Sequence, residues 1–180
     1  MARTILMTGG GASGKSRWAI SQFAACDNVL YICPSKLDDD TRSRIDYSNN
    51  KNYVQWDIRE NVTSNPSGLF NRHKFAVFDS LDIYTMQVIK EMCPDISQLD
   101  TELEKMIVKR IVDDALEMYN EIRLIEGDMV IITLETGFSL EPKDKELMTR
   151  RKIVGIVNQR IANESSDVYL SVSGIQFKIK

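Results

Sequence analysis

Apolar and polar positions along this chain change period several times, and the changes mark out its elements. Arg3-Thr4-Ile5-Leu6-Met7-Thr8 is a short apolar run that ends on three glycines, and Ser16 to Ala24 then carries apolar residues at helical spacing. Strand, loop and helix follow in that order. Asn28-Val29-Leu30-Tyr31-Ile32-Cys33, stopped by Pro34, predicts a second buried strand. Asp38 to Ile45, acidic first and basic afterwards, predicts a helix capped by Asp38 or Asp39. Asn49-Asn50-Lys51-Asn52 is expected to break that helix, and Tyr53 to Ile58 alternates like a half-buried strand.

The same alternation continues to the end of the chain. After a loop at Ser64-Asn65-Pro66-Ser67-Gly68, Phe75-Ala76-Val77-Phe78-Asp79 reads as an apolar strand ending on a carboxylate, followed by a helix from Leu81 to Met92 that Pro94 closes. Apolar residues from Leu99 to Ile125 recur at helical spacing, so Gln98 to Ile125 is expected to be one long helix with its stripe in the core. Asp128 to Leu134 predicts another buried strand, Lys145 to Ala162 another helix, and Val168 to Val172 with Ile175 to Ile179 a hairpin turning at Ser173-Gly174. Strands alternating with helices predict an α/β fold, a mostly parallel sheet with helices on both faces, and the hairpin adds an antiparallel edge. Ligands of such sheets gather at the carboxyl ends of the strands, which here offer the glycine-rich loop, Cys33-Pro34-Ser35, Asp79 and Glu135.

The glycines decide what that crevice binds. Gly9-Gly10-Gly11-Ala12-Ser13-Gly14-Lys15-Ser16 fits the full G-x-x-x-x-G-K-[ST] phosphate loop, between a strand and a helix as the motif requires. A triphosphate needs several N–H donors converging on it, and glycine backbone lets them approach without Cβ clashes. Lys15 reaches the outer phosphates, the Ser16 hydroxyl is placed to ligate Mg²⁺, and the following helix presents its positive end. The expected fold is therefore that of a P-loop NTPase. Asp79 is the candidate acidic partner of the metal, with a solvated strand end or a helix cap as its plainer reading. Glu135 is a second candidate, or else a loop carboxylate. His73, the one histidine, lies in the polar run Asn71-Arg72-His73-Lys74 and is expected at the surface. Arg150-Arg151-Lys152 is expected on a helix, facing water in preference to a phosphate.

Composition narrows the class further. A chain of 180 residues that is 43% hydrophobic can bury one sizeable core, and residues 1–180 read as a single domain. A net charge of -3 argues against nucleic acid as a partner. Cys26, Cys33 and Cys93 have neither metal spacing nor an even count, which fits a reducing cytoplasm. Met1-Ala2-Arg3 leads straight into the first strand, and no apolar run approaches membrane-spanning length, so no membrane association is expected.

Taken as a set, the residues resemble a known family, the adenosylcobinamide kinase/adenosylcobinamide-phosphate guanylyltransferases of cobalamin biosynthesis. The likeness covers nearly the whole chain: Thr8-Gly9-Gly10 into Gly14-Lys15-Ser16-Arg17, Val29-Leu30-Tyr31-Ile32, Asp39 to Ile45, Trp56 to Glu60, Asp79, Glu135 with Gly137, Gly155 with Val157-Asn158-Gln159-Arg160, and Val172-Ser173-Gly174-Ile175 through Lys178-Ile179-Lys180. The resemblance implies a RecA-like sheet, usually in a trimer, that phosphorylates the aminopropanol hydroxyl of adenosylcobinamide and transfers GMP from GTP onto that phosphate. It also extends the expected nucleotide contacts to Cys33, Pro34, Ser35, Ser48, Asn49, Asn50, Lys51 and Glu60.

The family's guanylyl carrier is a histidine three residues after the Arg-Ile pair and eight before the Trp. Arg44-Ile45 and Trp56 keep that register, and the position holds Ser48, beside Tyr47. An imidazole is a competent nucleophile near neutral pH, whereas an unassisted serine hydroxyl is poor and forms a far less labile ester. The substitution puts guanylyl transfer in question and leaves the triphosphate site intact. Cys33-Pro34-Ser35, Ser80, Leu134 and Lys152 also depart from the family pattern, so guanine and corrinoid contacts are expected to be altered. Three readings follow: a cobinamide kinase using ATP or GTP with Mg²⁺, a nucleotide-binding regulatory or assembly protein with reduced catalysis, or a phosphotransferase on another small substrate.

Overall fold

The computed structural model describes residues 2–70, 72–138 and 140–180. Along the chain run β1 (Thr4–Gly9), α1 (Lys15–Gln22), β2 (Leu30–Ile32), α2 (Asp39–Asn52), β3 (Asp57–Arg59), β4 (Phe75–Asp79), α3 (Leu81–Met92), a 3-10 turn (Ile96–Gln98), α4 (Thr101–Leu124), β5 (Asp128–Ile132), α5 (Lys145–Glu164), β6 (Asp167–Val172) and β7 (Ile175–Lys178). All seven strands join one sheet in the order β3-β2-β4-β5-β1-β6-β7. Every pairing is parallel except β6 with β7. The phosphate-loop strand β1 and the acid-bearing strand β4 are thus separated by β5, as a RecA-like sheet requires.

Side chains alternate across the pleat, so each strand feeds two cores. Leu6, Phe78, Ile131 and Val168 pack under α3, α4 and α5, while Met7, Tyr31, Val77 and Ile132 pack under α1 and α2. Because β1, β2, β4 and β5 are parallel, their carboxyl ends lie along one edge. The loop after β1, Cys33-Pro34-Ser35, Asp79 and Glu135 therefore share that edge.

Helix α2 runs through the Asn49-Asn50-Lys51-Asn52 stretch that was expected to break it. Thr41, Ile45 and Ser48 recur at helical spacing on its buried face, and the Asn52 side-chain amide donates to the Ser48 carbonyl at 2.8 Å, a second bond within the last turn. Tyr53 ends the helix in the left-handed region at φ 56°. The strand expected over residues 53–58 consequently shrinks to Asp57–Arg59. Asp38 is the cap, accepting from the Thr41 N–H at 2.9 Å. Asp38→Ala should lower unfolding free energy by about 1 kcal/mol in chemical denaturation; an unchanged midpoint would show that the cap contributes nothing.

His73 is buried, not at the surface as the polar sequence around it implied. Its Nδ1 lies 3.0 Å from the Asn28 carbonyl and its Nε2 3.6 Å from Asp57. All three residues stand at the amino ends of their strands, the edge opposite the phosphate loop. Its neighbour Asn71 lies outside the described residues. Arg150, Arg151 and Lys152 lie on α5 as expected, with Lys152 exposed to water and all three held by partners near the surface. Arg150 pairs with Glu146, Arg151 donates to the carbonyls of Leu140 (2.9 Å) and Gly137 (3.0 Å), and Lys152 reaches Glu104 at 2.9 Å.

Candidate active site

The loop from Gly9 to Ser16 turns between β1 and α1, so the first helical N–H groups face whatever the loop encloses. Two of its glycines are dictated by geometry. A Cβ on Gly9 would sit 2.4 Å from the Ser171 carbonyl oxygen, and Gly14 adopts φ 99° with Gly174 packed against it. The terminal hairpin clamps the loop from outside: the Gly174 N–H and the Ser171 hydroxyl both donate to the Ser13 carbonyl, at 2.9 and 2.7 Å. The Lys15 ammonium donates to the carbonyls of Gly9 (3.1 Å) and Gly10 (2.7 Å). Burial lowers its pKa, and the nearby carboxylates of Asp82 and Asp79 act against that shift.

Asp79 ends β4 beside the loop. Burial raises its pKa, while hydrogen bonds from the Ser16 and Tyr31 hydroxyls favour its charged form. The Tyr31 hydroxyl donates to Asp79 Oδ2 at 2.6 Å, and burial with that neighbouring carboxylate pushes the phenol well above its usual range. The hydroxyl of Ser16 and the carboxylate of Asp79 form a hard oxygen pair suited to Mg²⁺. Among the described residues no cluster of three His, Cys, Asp or Glu could hold a metal alone. A Mg²⁺ held by one or two side chains and completed by substrate phosphates fits this donor set.

Two hollows adjoin the loop. One, about 330 Å³, is lined by Ala12 to Arg17 with Asp40, Thr41 and Arg44. The other, about 550 Å³, runs between α1 and α2 and is lined by residues including Ser21, Tyr47, Ser48, Lys51 and Asn52. Arg17, Asp40 and Arg44 border both, so a groove leads from the phosphate loop to Ser48. Ser48 is buried, and its hydroxyl has no hydrogen-bond partner. No imidazole stands near it, because His73 is at the far edge of the sheet. Asn50 is exposed on α2, and the Asn49 carbonyl is taken by the helix cap.

The remaining expected contacts have partners within the protein. Burial and the carboxylates of Asp79, Glu60 and Asp38 push the Cys33 thiol up to about 12, so it is no nucleophile at neutral pH. Pro34 offers its carbonyl to Gln87 at 2.7 Å, and the Ser35 carbonyl accepts from the Asn61 N–H. Glu60 braces the entry to α2, taking the Leu37 N–H at 2.7 Å and the Arg42 guanidinium at 2.6 Å. The Glu135 N–H donates to the Gly9 carbonyl at 2.9 Å, and its side chain accepts from the Gly137 N–H at 2.7 Å.

Across residues 5–179 the chain matches the family described as cobinamide kinase / cobinamide phosphate guanyltransferase. The chain belongs to this family. It is 29% identical over 188 residues to the bifunctional adenosylcobalamin biosynthesis protein CobU of Salmonella typhimurium, covering 98% of this chain and 99% of that one. The Escherichia coli protein of the same name is 27% identical over 180 residues, at 98% and 99% coverage.

In this member of the cobinamide kinase/guanyltransferase family, two parts of the site escaped the sequence reading. Asp82, in the first turn of α3, lies close enough to Lys15 to act on its charge and accepts from the Leu134 N–H at 3.0 Å. Its spacing three residues after Asp79 was the available signal. The hairpin tip against Ser13 had none, since 158 residues separate Ser171 from its partner.

Tyr31 yields a prediction with a definite sign. Its hydroxyl favours ionised Asp79, so Tyr31→Phe should raise the Asp79 pKa further. The acid limb of Mg²⁺-dependent nucleotide binding should then move to higher pH, because a hydrogen bond that favours the charged carboxylate is lost. Titrating nucleotide binding against pH, with and without Mg²⁺, measures this; an unmoved limb would deny Tyr31 that role.

Proposed function

We propose that the protein is an adenosylcobinamide kinase-type phosphotransferase that uses ATP or GTP with Mg²⁺, and that guanylyl transfer is lost with the histidine at position 48. The observation that carries the reading is the meeting of Lys15, Ser16 and Asp79 at one strand edge while Ser48 lies without partner or base at the end of the adjoining groove. Gly9 to Gly14 would cradle the phosphates, with Lys15 on the outer ones. Mg²⁺, when bound, supplies charge neutralisation at the phosphates, and Ser16 and Asp79 are the residues that would hold it.

The substrate hydroxyl oxygen attacks the γ-phosphorus as the bond to the bridging oxygen breaks, and the nucleoside diphosphate leaves with that electron pair. Glu135, tied to Gly9 through its backbone, would take the hydroxyl proton. Lys15 and the loop N–H groups meet the negative charge on the transferred group. The groove beyond Arg17 and Arg44 would take the base and ribose of the nucleotide.

A cytoplasmic homo-oligomer, a trimer by family likeness, belongs to the same reading. Val172, Ile175 and Phe177 expose one apolar face of the hairpin, which suits contact with another copy. No helix among the described residues is long and apolar enough to cross a membrane. Incubating the protein with cobinamide and γ-labelled ATP or GTP tests the reading through label on the corrinoid. Nucleotide bound without transfer would favour a regulatory protein, and transfer only to other alcohols a different kinase.

A further inference from the structure

On the sheet face opposite α1 and α2, α5 stands away from β1 and β6 and encloses a cavity of about 490 Å³. Leu6, Ile156, Val168 and Ile179 give it an apolar lining. At one end stand Thr8 and Glu135, which bring it to the phosphate loop. Thr8 precedes Gly9, and the Gly9 carbonyl accepts both the Glu135 N–H at 2.9 Å and the Lys15 ammonium at 3.1 Å.

Three features show a cavity shaped for a ligand. Gly155 lines it from the middle of α5, and a Cβ built there would meet nothing within 4 Å. Glycine is a poor residue for a helix interior, and here neither its backbone nor its neighbours demand it. What a side chain at this position would occupy is the cavity itself. Thr8 is 8% exposed, and its hydroxyl is buried with no hydrogen-bond partner. At Arg151 and Lys152 the cavity meets a second hollow of about 380 Å³ that reaches Met148. Phe138 and Leu140, 76% and 94% exposed, stand on the segment that Arg151 holds beside it.

The lining suits an apolar molecule better than a second nucleotide. Arg151 is committed to two carbonyls and Lys152 to Glu104, so the cations of the rim are already answered. What remains is a large apolar floor with a few neutral polar groups and, at the phosphate-loop end, the Glu135 carboxylate, the pattern of a site for a bulky molecule that is uncharged over most of its surface. A corrinoid has that chemistry, an extensive ring system edged with amides.

We propose that this cavity, between α5 and the β1 and β6 strands, seats the cobinamide acceptor, with Gly155 leaving room for the corrin ring and the Thr8 end directing the hydroxyl toward the γ-phosphate. The inference rests on the kinase reading, which names the acceptor but not its place. It puts the acceptor on the opposite face of the sheet from the groove that ends at Ser48.

Gly155→Leu tests it by filling the cavity. The Michaelis constant for cobinamide should rise at least about tenfold, with that for the nucleotide and nucleotide binding unchanged. A Leu variant with wild-type affinity for cobinamide overturns the assignment and leaves the kinase reading standing. A wild type that neither phosphorylates nor binds cobinamide overturns both. Should the Leu variant fail to bind nucleotide, Gly155→Cys gives an independent readout: alkylation at that position, located by mass spectrometry, should be slowed by saturating cobinamide and not by nucleotide. Labelling that cobinamide does not slow overturns the proposal.

Discussion

Replacing Ser48 with histidine is expected to give a protein that keeps acid-labile label from α-labelled GTP after denaturation, where the wild type keeps none. Ser48 lines the groove between α1 and α2, which opens on the phosphate loop through Arg17 and Arg44. Its hydroxyl is buried, with no partner to accept its proton, so it remains a weak nucleophile. The groove, about 550 Å³, has room for an imidazole at that position. A ring there would attack the α-phosphorus and release pyrophosphate, and its phosphoramidate is the acid-labile bond the assay detects. The gain in labelling should be on the order of 10²-fold or more, the scale on which an activated nucleophile outruns an unassisted hydroxyl. Label on wild-type protein would mean that another residue carries the guanylyl group. A histidine variant that stays unlabelled would mean that the groove does not present the α-phosphate to this position.

The second large effect is expected at Lys15. Its ammonium rests on the Gly9 and Gly10 carbonyls and is flanked by Asp79 and Asp82, which support its positive charge against the cost of burial. Phosphoryl transfer needs charge stabilisation more than covalent chemistry, so removing this cation takes away a principal electrostatic contribution. Lys15→Ala should lower γ-phosphoryl transfer to cobinamide by about 10³-fold, with melting temperature near wild type because the side chain bonds only to loop carbonyls. Loss of transfer with full nucleotide binding would place Lys15 in the transition state, whereas equal loss of both would make it a ground-state binder. Transfer at the wild-type rate would remove the loop from the chemistry.

Much of this arrangement was legible in the sequence because local physics decided it. The glycine-rich loop lies between an apolar run and a helical period, and β4 from Phe75 to Asp79 and α3 from Leu81 to Met92 fall where strand and helix periodicity put them. The errors came where tertiary contacts outweighed local preference. The Asn49 to Asn52 stretch looks like a breaker by propensity, yet a cap at Asp38 and the buried face of Thr41, Ile45 and Ser48 carry the helix through it. His73 sits in a polar run but is closed over by Asn28 and Asp57, which are remote in sequence. The contact of Gly174 with Ser13 is of the same kind: each partner has a local explanation, as a hairpin tip and as a loop residue, and only the sheet order brings β6 beside β1. Glu60, a carboxylate matched to a family position, takes the Leu37 N–H and the Arg42 guanidinium, partners that the sequence did not identify.

Movement of a γ-phosphoryl group onto cobinamide can be followed in a single assay. Wild-type protein and the Lys15→Ala variant are incubated with γ-labelled ATP or GTP, Mg²⁺ and cobinamide, and the corrinoid is separated and counted. Wild type should give labelled cobinamide phosphate and the variant about a thousandth of that rate; an unlabelled corrinoid from wild type, or equal label from both proteins, would overturn the kinase reading.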